Sequence, residues 1–177
     1  MANPLANILR RQALKKFKSP VPTGLLPLSQ IHTAVSFIDV EDTTFDECKE
    51  AILSFYKAND IKGDIFFFDF RKIASDELLI TSIQTTILKR DLNWIGKPKK
   101  EKVDLMLDSK PDLFISLIKG DKFPIEFMAS CSNARFKVGR TQVRDKVFDL
   151  VISEPDHLEV SQLEIFNEIK KMIGKIQ

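Results

Sequence analysis

From the amino end, the chain alternates between segments whose apolar residues recur every third or fourth position and segments in which they run together. Residues 4–17 are rich in strong helix formers, and Pro4 suits a first turn, so a helix is expected there. Ala6, Leu9, Ala13 and Phe17 share one of its sides, while Leu14 falls near a basic side. Pro20, Pro22, Gly24 and Pro27 then bar both helix and central strand, which predicts a connector over 19–30. Val35, Phe37 and Ile38 mark a strand between Ile31 and Ile38. Thr44 and Glu47 have the spacing of a capping box, and Phe45, Cys48, Ile52, Phe55 and Tyr56 form the apolar stripe of the helix behind it.

Asp64 to Phe70 is nearly continuously apolar, as in strands covered on both faces. Residues 75–88 admit two readings. Ser75, Asp76 and Glu77 look like a helix start, whereas the β-branched Ile80, Thr81, Ile83, Thr85, Thr86 and Ile87 suit a strand; a short helix followed by a strand over 83–88 is expected. Beyond the Gly96-Lys97-Pro98 turn, the pattern predicts a helix over 100–107, a buried strand over 111–118 and a helix over 124–131. Strands follow at 135–138 and 148–153. The last helix, capped by Asp156 with Glu159, carries a stripe of Ile165, Phe166, Ile169, Met172, Ile173 and Ile176 that should face the core.

This alternation predicts an α/β fold of three layers: a mostly parallel sheet of about five to six strands with helices on both faces, Rossmann-like without a dinucleotide fingerprint. The expected organisation is a basic N-terminal helical arm and connector over 1–30 and a single α/β domain over 31–177. A chain of 177 residues can bury a core without staples. Its longest apolar run, 65–68, is far short of the ~20 residues a membrane-spanning helix needs, so no span is expected. Cys48 and Cys131 are too few and too far apart for a disulfide framework, which points to a reducing cytoplasm.

Charge changes the picture at one end. Arg10, Arg11, Lys15, Lys16 and Lys18 all precede the first acid, Asp39, so the net +2 divides into +5 for the arm and −3 for the rest. The arm is then either a packed helix with a solvated basic edge or a contact for an anionic surface or nucleic acid.

Candidate chemistry is sparse. The glycines are widely separated and match no phosphate-binding loop, and the two histidines, His32 and His157, lack metal-ligating neighbours; no cofactor and no metal site are expected. Ligands of open α/β sheets bind beyond the carboxyl ends of the strands. Asp39 and Asp69 fall there as acid or base candidates, with Arg71 and Arg140 as anion-binding candidates. Two further clusters supply ligand-binding candidates. Residues 91–98 set the only tryptophan, Trp94, beside Lys97, and in residues 133–140 alternation puts Arg135 and Lys137 opposite Phe136 and Val138. The second cluster reads either as an edge or solvent-facing strand or as a site capturing phosphate or carboxylate.

The segments Asp91–Pro98, Pro111–Leu117 and Pro124–Arg140 together resemble a family of small bacterial proteins of unknown function. That resemblance covers the body after the arm and implies a bacterial cytoplasmic protein, with no activity attached. Residues 112–140 also resemble the N-terminal domain of lipopolysaccharide heptosyltransferases, but the glycine-rich start and the nucleotide-sugar domain of that family have no counterpart here. Two functions therefore stand side by side. One is a noncatalytic binding or interaction module using the arm or a sheet edge. The other is a small enzyme acting on a phosphorylated or sugar-like metabolite, with Asp39 or Asp69 as acid or base and Arg140 as anion anchor.

Overall fold

The computed structural model describes residues 4–72, 80–119, 123–154 and 158–177. Six strands, β1 (Thr33–Asp39), β2 (Lys62–Asp69), β3 (Thr86–Leu88), β4 (Leu113–Ser116), β5 (Phe136–Gly139) and β6 (Leu150–Val151), form one sheet in the order β3-β2-β1-β4-β5-β6. Every pairing is parallel. This is the doubly wound order, in which two halves diverge from a switch point between β1 and β4. The helices are α1 (Pro4–Phe17), α2 (Phe45–Ala58), α3 (Lys100–Asp108), α4 (Phe123–Cys131) and α5 (Gln162–Ile173). No helix among the described residues is long and apolar enough to cross a membrane.

Alternation along the strands sends apolar side chains to both faces, and each face has its own helices. Ile38, Ile65, Phe67, Ile115, Phe136 and Val138 pack beneath α2 and α5. Val35, Phe37, Phe66, Phe68 and Phe114 pack beneath α1, α3 and α4. Phe37 sits between Phe66 and Phe114 with ring centroids 5.1 and 5.0 Å away, so the middle of the sheet is held by stacked rings from three strands.

Several expectations shift in detail. The Thr44–Glu47 capping box does not form: the Thr44 hydroxyl donates to Asp42 Oδ1 at 2.8 Å and accepts from the Leu163 amide, so it serves the meeting of two helices. The last helix is capped by a reciprocal pair one turn later than expected, Ser161 with Glu164, and the expected Asp156 cap lies outside the described residues. Its stripe of Ile165, Phe166, Ile169 and Ile173 is buried, but Met172 is 39% exposed because the stripe is narrower than the sequence suggested. The strand expected over 83–88 shortens to β3, and the helix start at Ser75 falls outside the described residues. Nor is β5 an edge or solvent-facing strand. It lies between β4 and β6, and the face bearing Lys137 is covered by α4.

Phe166 is fully buried and meets Phe55 of α2 edge-on at 5.9 Å. Phe166→Ala should therefore cost about 3–5 kcal/mol, transfer energy and cavity together, in a urea unfolding titration. An unchanged midpoint would remove α5 from the core.

Candidate functional site

At the carboxyl rim Arg140, Asp69 and Arg71 are each committed to partners within the chain. Arg140, at the end of β5, is 3% exposed. Its Nε donates to Glu154 Oε1 at 2.6 Å and its Nη2 to the Val160 carbonyl, while Nη1 lies 3.5 Å from the Leu117 carbonyl and 3.7 Å from Asp42 Oδ2. Lys119 reaches the other Glu154 oxygen at 3.1 Å. Burial pushes the Glu154 carboxyl up, but hydrogen bonds from Lys119 and Arg140 outweigh it and hold the group below its ordinary value. Asp42 Oδ2 also accepts the Gln162 amide, so the α5 N-terminus, where a doubly wound fold would offer an anion site, receives a carboxylate of the same chain. Gln162 further exchanges hydrogen bonds with the backbone of Asp39. An open depression of about 420 Å³ joins Arg140 to Lys119, Thr141, Gln142, Ser153 and Glu154, and neither Asp39 nor Asp69 lines it.

Asp69 is 1% exposed and takes a bidentate fork from Arg71, at 2.8 and 2.7 Å. The Arg71 hydrogen bonds hold its carboxyl below the ordinary value against the opposing effect of burial, which keeps it ionised at neutral pH. Arg135 stands at the opposite, amino rim. It forks onto Asp112, whose other oxygen accepts the amides of His32 and Thr33, so one carboxylate aligns the starts of β1, β4 and β5. Trp94 is 65% exposed at the tip of a turn shaped by Asn93 and closed at Gly96, whose φ of +85° favours glycine. Lys97 lies 4.3 Å above the Phe17 ring at the mouth of an apolar cavity of about 340 Å³, lined also by Val103, Leu107, Phe127 and Cys131. Burial pushes the Cys131 thiol up to about 12, so it is protonated at neutral pH.

The residues that do converge are those of the arm and of the β5–β6 connector. Helix α1 lies on α4, burying Leu14 and partly burying Ala6, Leu9 and Ala13. The contact thus includes the residue expected near the basic side, whereas Phe17 remains 43% exposed. Arg10 docks inward, donating to the Ile95 carbonyl at 2.7 Å with its guanidinium 5.0 Å from the Phe123 ring centroid. Arg11, Lys15 and Lys18 follow one another at four- and three-residue steps and share a flank.

Opposite that flank runs the crossover from β5 to β6. A parallel crossover usually takes a dozen or more residues and a helix, but residues 140–149 provide only a single 3-10 turn, Arg144–Lys146. Buried Val143 and Phe148 pin it, and the Phe148 ring occupies the space a Cβ at Gly139 would need. Between these anchors Asp145 and Lys146 adopt φ of +60° and +50°, a conformation non-glycine residues rarely hold. Arg144, Asp145 and Lys146 are consequently exposed beside α1. The result is a cleft of about 680 Å³ lined by Arg11, Leu14, Lys15, Lys18, Ser130, Arg144, Asp145 and Val147. Lys18, Ser130, Asp145 and Val147 also line an adjoining cavity of about 110 Å³ that reaches Lys137 and Lys146. Across the two, six basic side chains and one carboxylate line the walls among the described residues. Lys137 is 4% exposed and donates to the Ala129 carbonyl at 2.7 Å. Burial lowers its amine to about 8, with Lys18 acting in the same sense and Asp149 against it.

Of the candidates named from sequence, Asp69 pairs with Arg71, while Trp94, Lys97, Arg135 and Arg140 stand apart. Lys137 alone shares a cavity lining with an arm cation, Lys18, beside the cleft that Arg11 and Lys15 line. Arg144 and Lys146 were missed, since an exposed Arg-Asp-Lys run carries no signal until the short crossover brings it against α1.

A model of a family described as a family of unknown function, DUF6913, matches residues 6–176. No curated protein and no solved structure matches the chain, so the likeness of residues 112–140 to a heptosyltransferase domain finds no support among solved folds.

Removing Arg140 leaves Glu154 charged and poorly solvated. Arg140→Met should lose about 3–5 kcal/mol of stability at neutral pH. Because the Glu154 carboxyl titrates below its ordinary value when folded, its contribution is present above the unfolded carboxylate range and is lost as pH falls through the folded value. Chemical unfolding at stepped pH should accordingly show a shallower acid decline in Arg140→Met than in the parent chain.

Proposed function

We propose that this chain, which belongs to that family of unknown function over nearly its whole length, is a noncatalytic binding module that captures a phosphate-bearing anion in the cleft between α1 and the β5–β6 connector. The observation that carries this reading is the convergence of Arg11, Lys15, Lys18 and Arg144 against one acid, Asp145, among the described lining residues. Its volume of about 680 Å³ falls in the range of small-ligand sites, roughly 300–1,000 Å³. Like charges gathered on low-dielectric walls focus a positive potential that raises the local concentration of anions.

In this reading the arm and connector over 1–30 supply one wall of the site and the α/β domain over 31–177 supplies the other. Free phosphorylated molecules, anionic membrane surfaces and nucleic acid all present the required chemistry, and Lys16 lies on the same helix for the larger partners. A reducing bacterial cytoplasm suits the two buried, unpaired cysteines. The reading does not use the rim: Arg140 and Asp69 serve internal pairs there, which favours a binding role over acid–base chemistry.

Lys15 and Arg144 are exposed, so charge reversal at both leaves the core intact. Titrated calorimetrically with inorganic tripolyphosphate at low salt, the parent chain should bind, and Lys15→Glu combined with Arg144→Glu should weaken binding by at least about 100-fold, roughly tenfold for each cation replaced. Added salt should weaken the parent complex. Equal affinity in parent and double variant, or no binding by the parent, contradicts the proposal.

A further inference from the structure

We infer that the cavity of about 110 Å³ beside Lys137 is a subsite for a terminal phosphate monoester, held by Lys137, Lys18 and Lys146 while the remainder of the ligand lies in the larger cleft. This inference rests on the reading of that cleft as an anion site and names the chemical group it selects.

The geometry at Lys137 is the first support. Its side chain projects from an internal strand onto the face beneath α4 and is nearly excluded from solvent, yet its ammonium has one protein acceptor among the described residues, Ala129 O. An ammonium carries three donors, and a buried charge so sparingly paired is costly. An anionic oxygen in the adjoining cavity would accept a second hydrogen bond and offset the charge.

The charges around the cavity favour a dianion. Lys18 follows α1 and Lys146 lies in the connector turn, giving three ammonium groups with Lys137; Asp145 is the carboxylate in the lining. Asp149 also faces Lys137, but its two oxygens accept from the Lys137 amide at 2.8 Å and from Thr23 Oγ1 at 2.7 Å, which fixes them as part of the frame. Cys131, on α4, is protonated and adds no charge. A phosphate monoester is dianionic above its second ionisation near pH ~6, whereas a diester keeps one charge. Three ammonium groups against the Asp145 and Asp149 carboxylates still leave the surroundings net positive, which rewards the second charge of the monoester. The walls shared with the cleft, at Lys18, Ser130, Asp145 and Val147, give the substituent on the ester oxygen a path outward.

Titration of Lys137 adds a signature. With its amine lowered to about 8, the charged form is lost as pH rises through that value, and a bound dianion, by favouring the charged form, takes up protons there. Affinity should peak between the phosphate ionisation near pH ~6 and the amine near 8.

The test uses the full chain, with phenyl phosphate as soluble monoester and ethyl phenyl phosphate as diester, in calorimetric titrations across pH. Vesicles containing phosphatidic acid or, at matched charge, phosphatidylglycerol form the membrane arm. The parent chain should prefer the monoester, and Lys137→Met should weaken it about tenfold and abolish the decline above pH 8. The exposed Lys146→Ala, which leaves the core untouched, should also weaken it. Preference for phosphatidic acid with no response to phenyl phosphate would identify a membrane source for the same group. Equal binding of monoester and diester, or an unchanged Lys137→Met and Lys146→Ala, overturns the subsite. If the charge-reversal pair at Lys15 and Arg144 still weakens tripolyphosphate, the cleft reading survives that failure; if it does not, both fall.

Discussion

A parallel sheet has to be covered on both faces, because its crossovers return over the faces and its strands are apolar on each side. Most features of this molecule follow from how that cover is assembled. Beneath α2 and α5 the cover is conventional, with the ends of the two helices tied together through Asp42, Thr44 and Gln162. On the other face the β5–β6 crossover is too short to supply a helix, and α1 contributes cover from the far end of the chain. The basic segment at the start of the chain is thereby built into the wall beside α4.

That arrangement explains why the positive charge is both fixed and concave. Leu14, Leu9, Ala6 and Ala13 turn inward, so the residues flanking them cannot avoid the gap the short connector leaves. The connector answers with its own bases, held out by two consecutive left-handed residues. Such conformations cost of order 1–3 kcal/mol each and persist where surrounding structure imposes them. The rim that normally serves ligands in this topology is meanwhile filled from within, by Asp42 at the α5 N-terminus and by Arg140 between Glu154 and two backbone carbonyls.

Much of the fold was legible in the sequence, because burial leaves a periodic trace. The runs at 64–70 and 111–118 read as strands covered on both sides, and the stripe of Ile165, Phe166 and Ile169 marked the inner face of α5. The true cap of that helix, Ser161-Gln-Leu-Glu164, was also present as a pattern, but the acids before it drew the boundary too early. Strand order left no local trace, so the alternating bases at 135–140 looked like an exposed strand although β5 is internal. The site was less legible still. Arg11, Ser130 and Arg144 are far apart in the chain, and the role of Asp112 in aligning three strand starts shows only when those strands lie side by side. Arg135 and Arg140 sit five residues apart yet serve opposite rims, because a strand runs between them.

Helix α1 is thus an integral wall of the fold and not a detachable arm. Hydrogen–deuterium exchange of the α1 amides tests it most directly, since a packed helix opens only with the surface it covers. The amides of residues 9–17 should exchange orders of magnitude more slowly than those of an unstructured peptide, with protection approaching that of α4. Exchange at the unstructured-peptide rate, with α4 still protected, would contradict it.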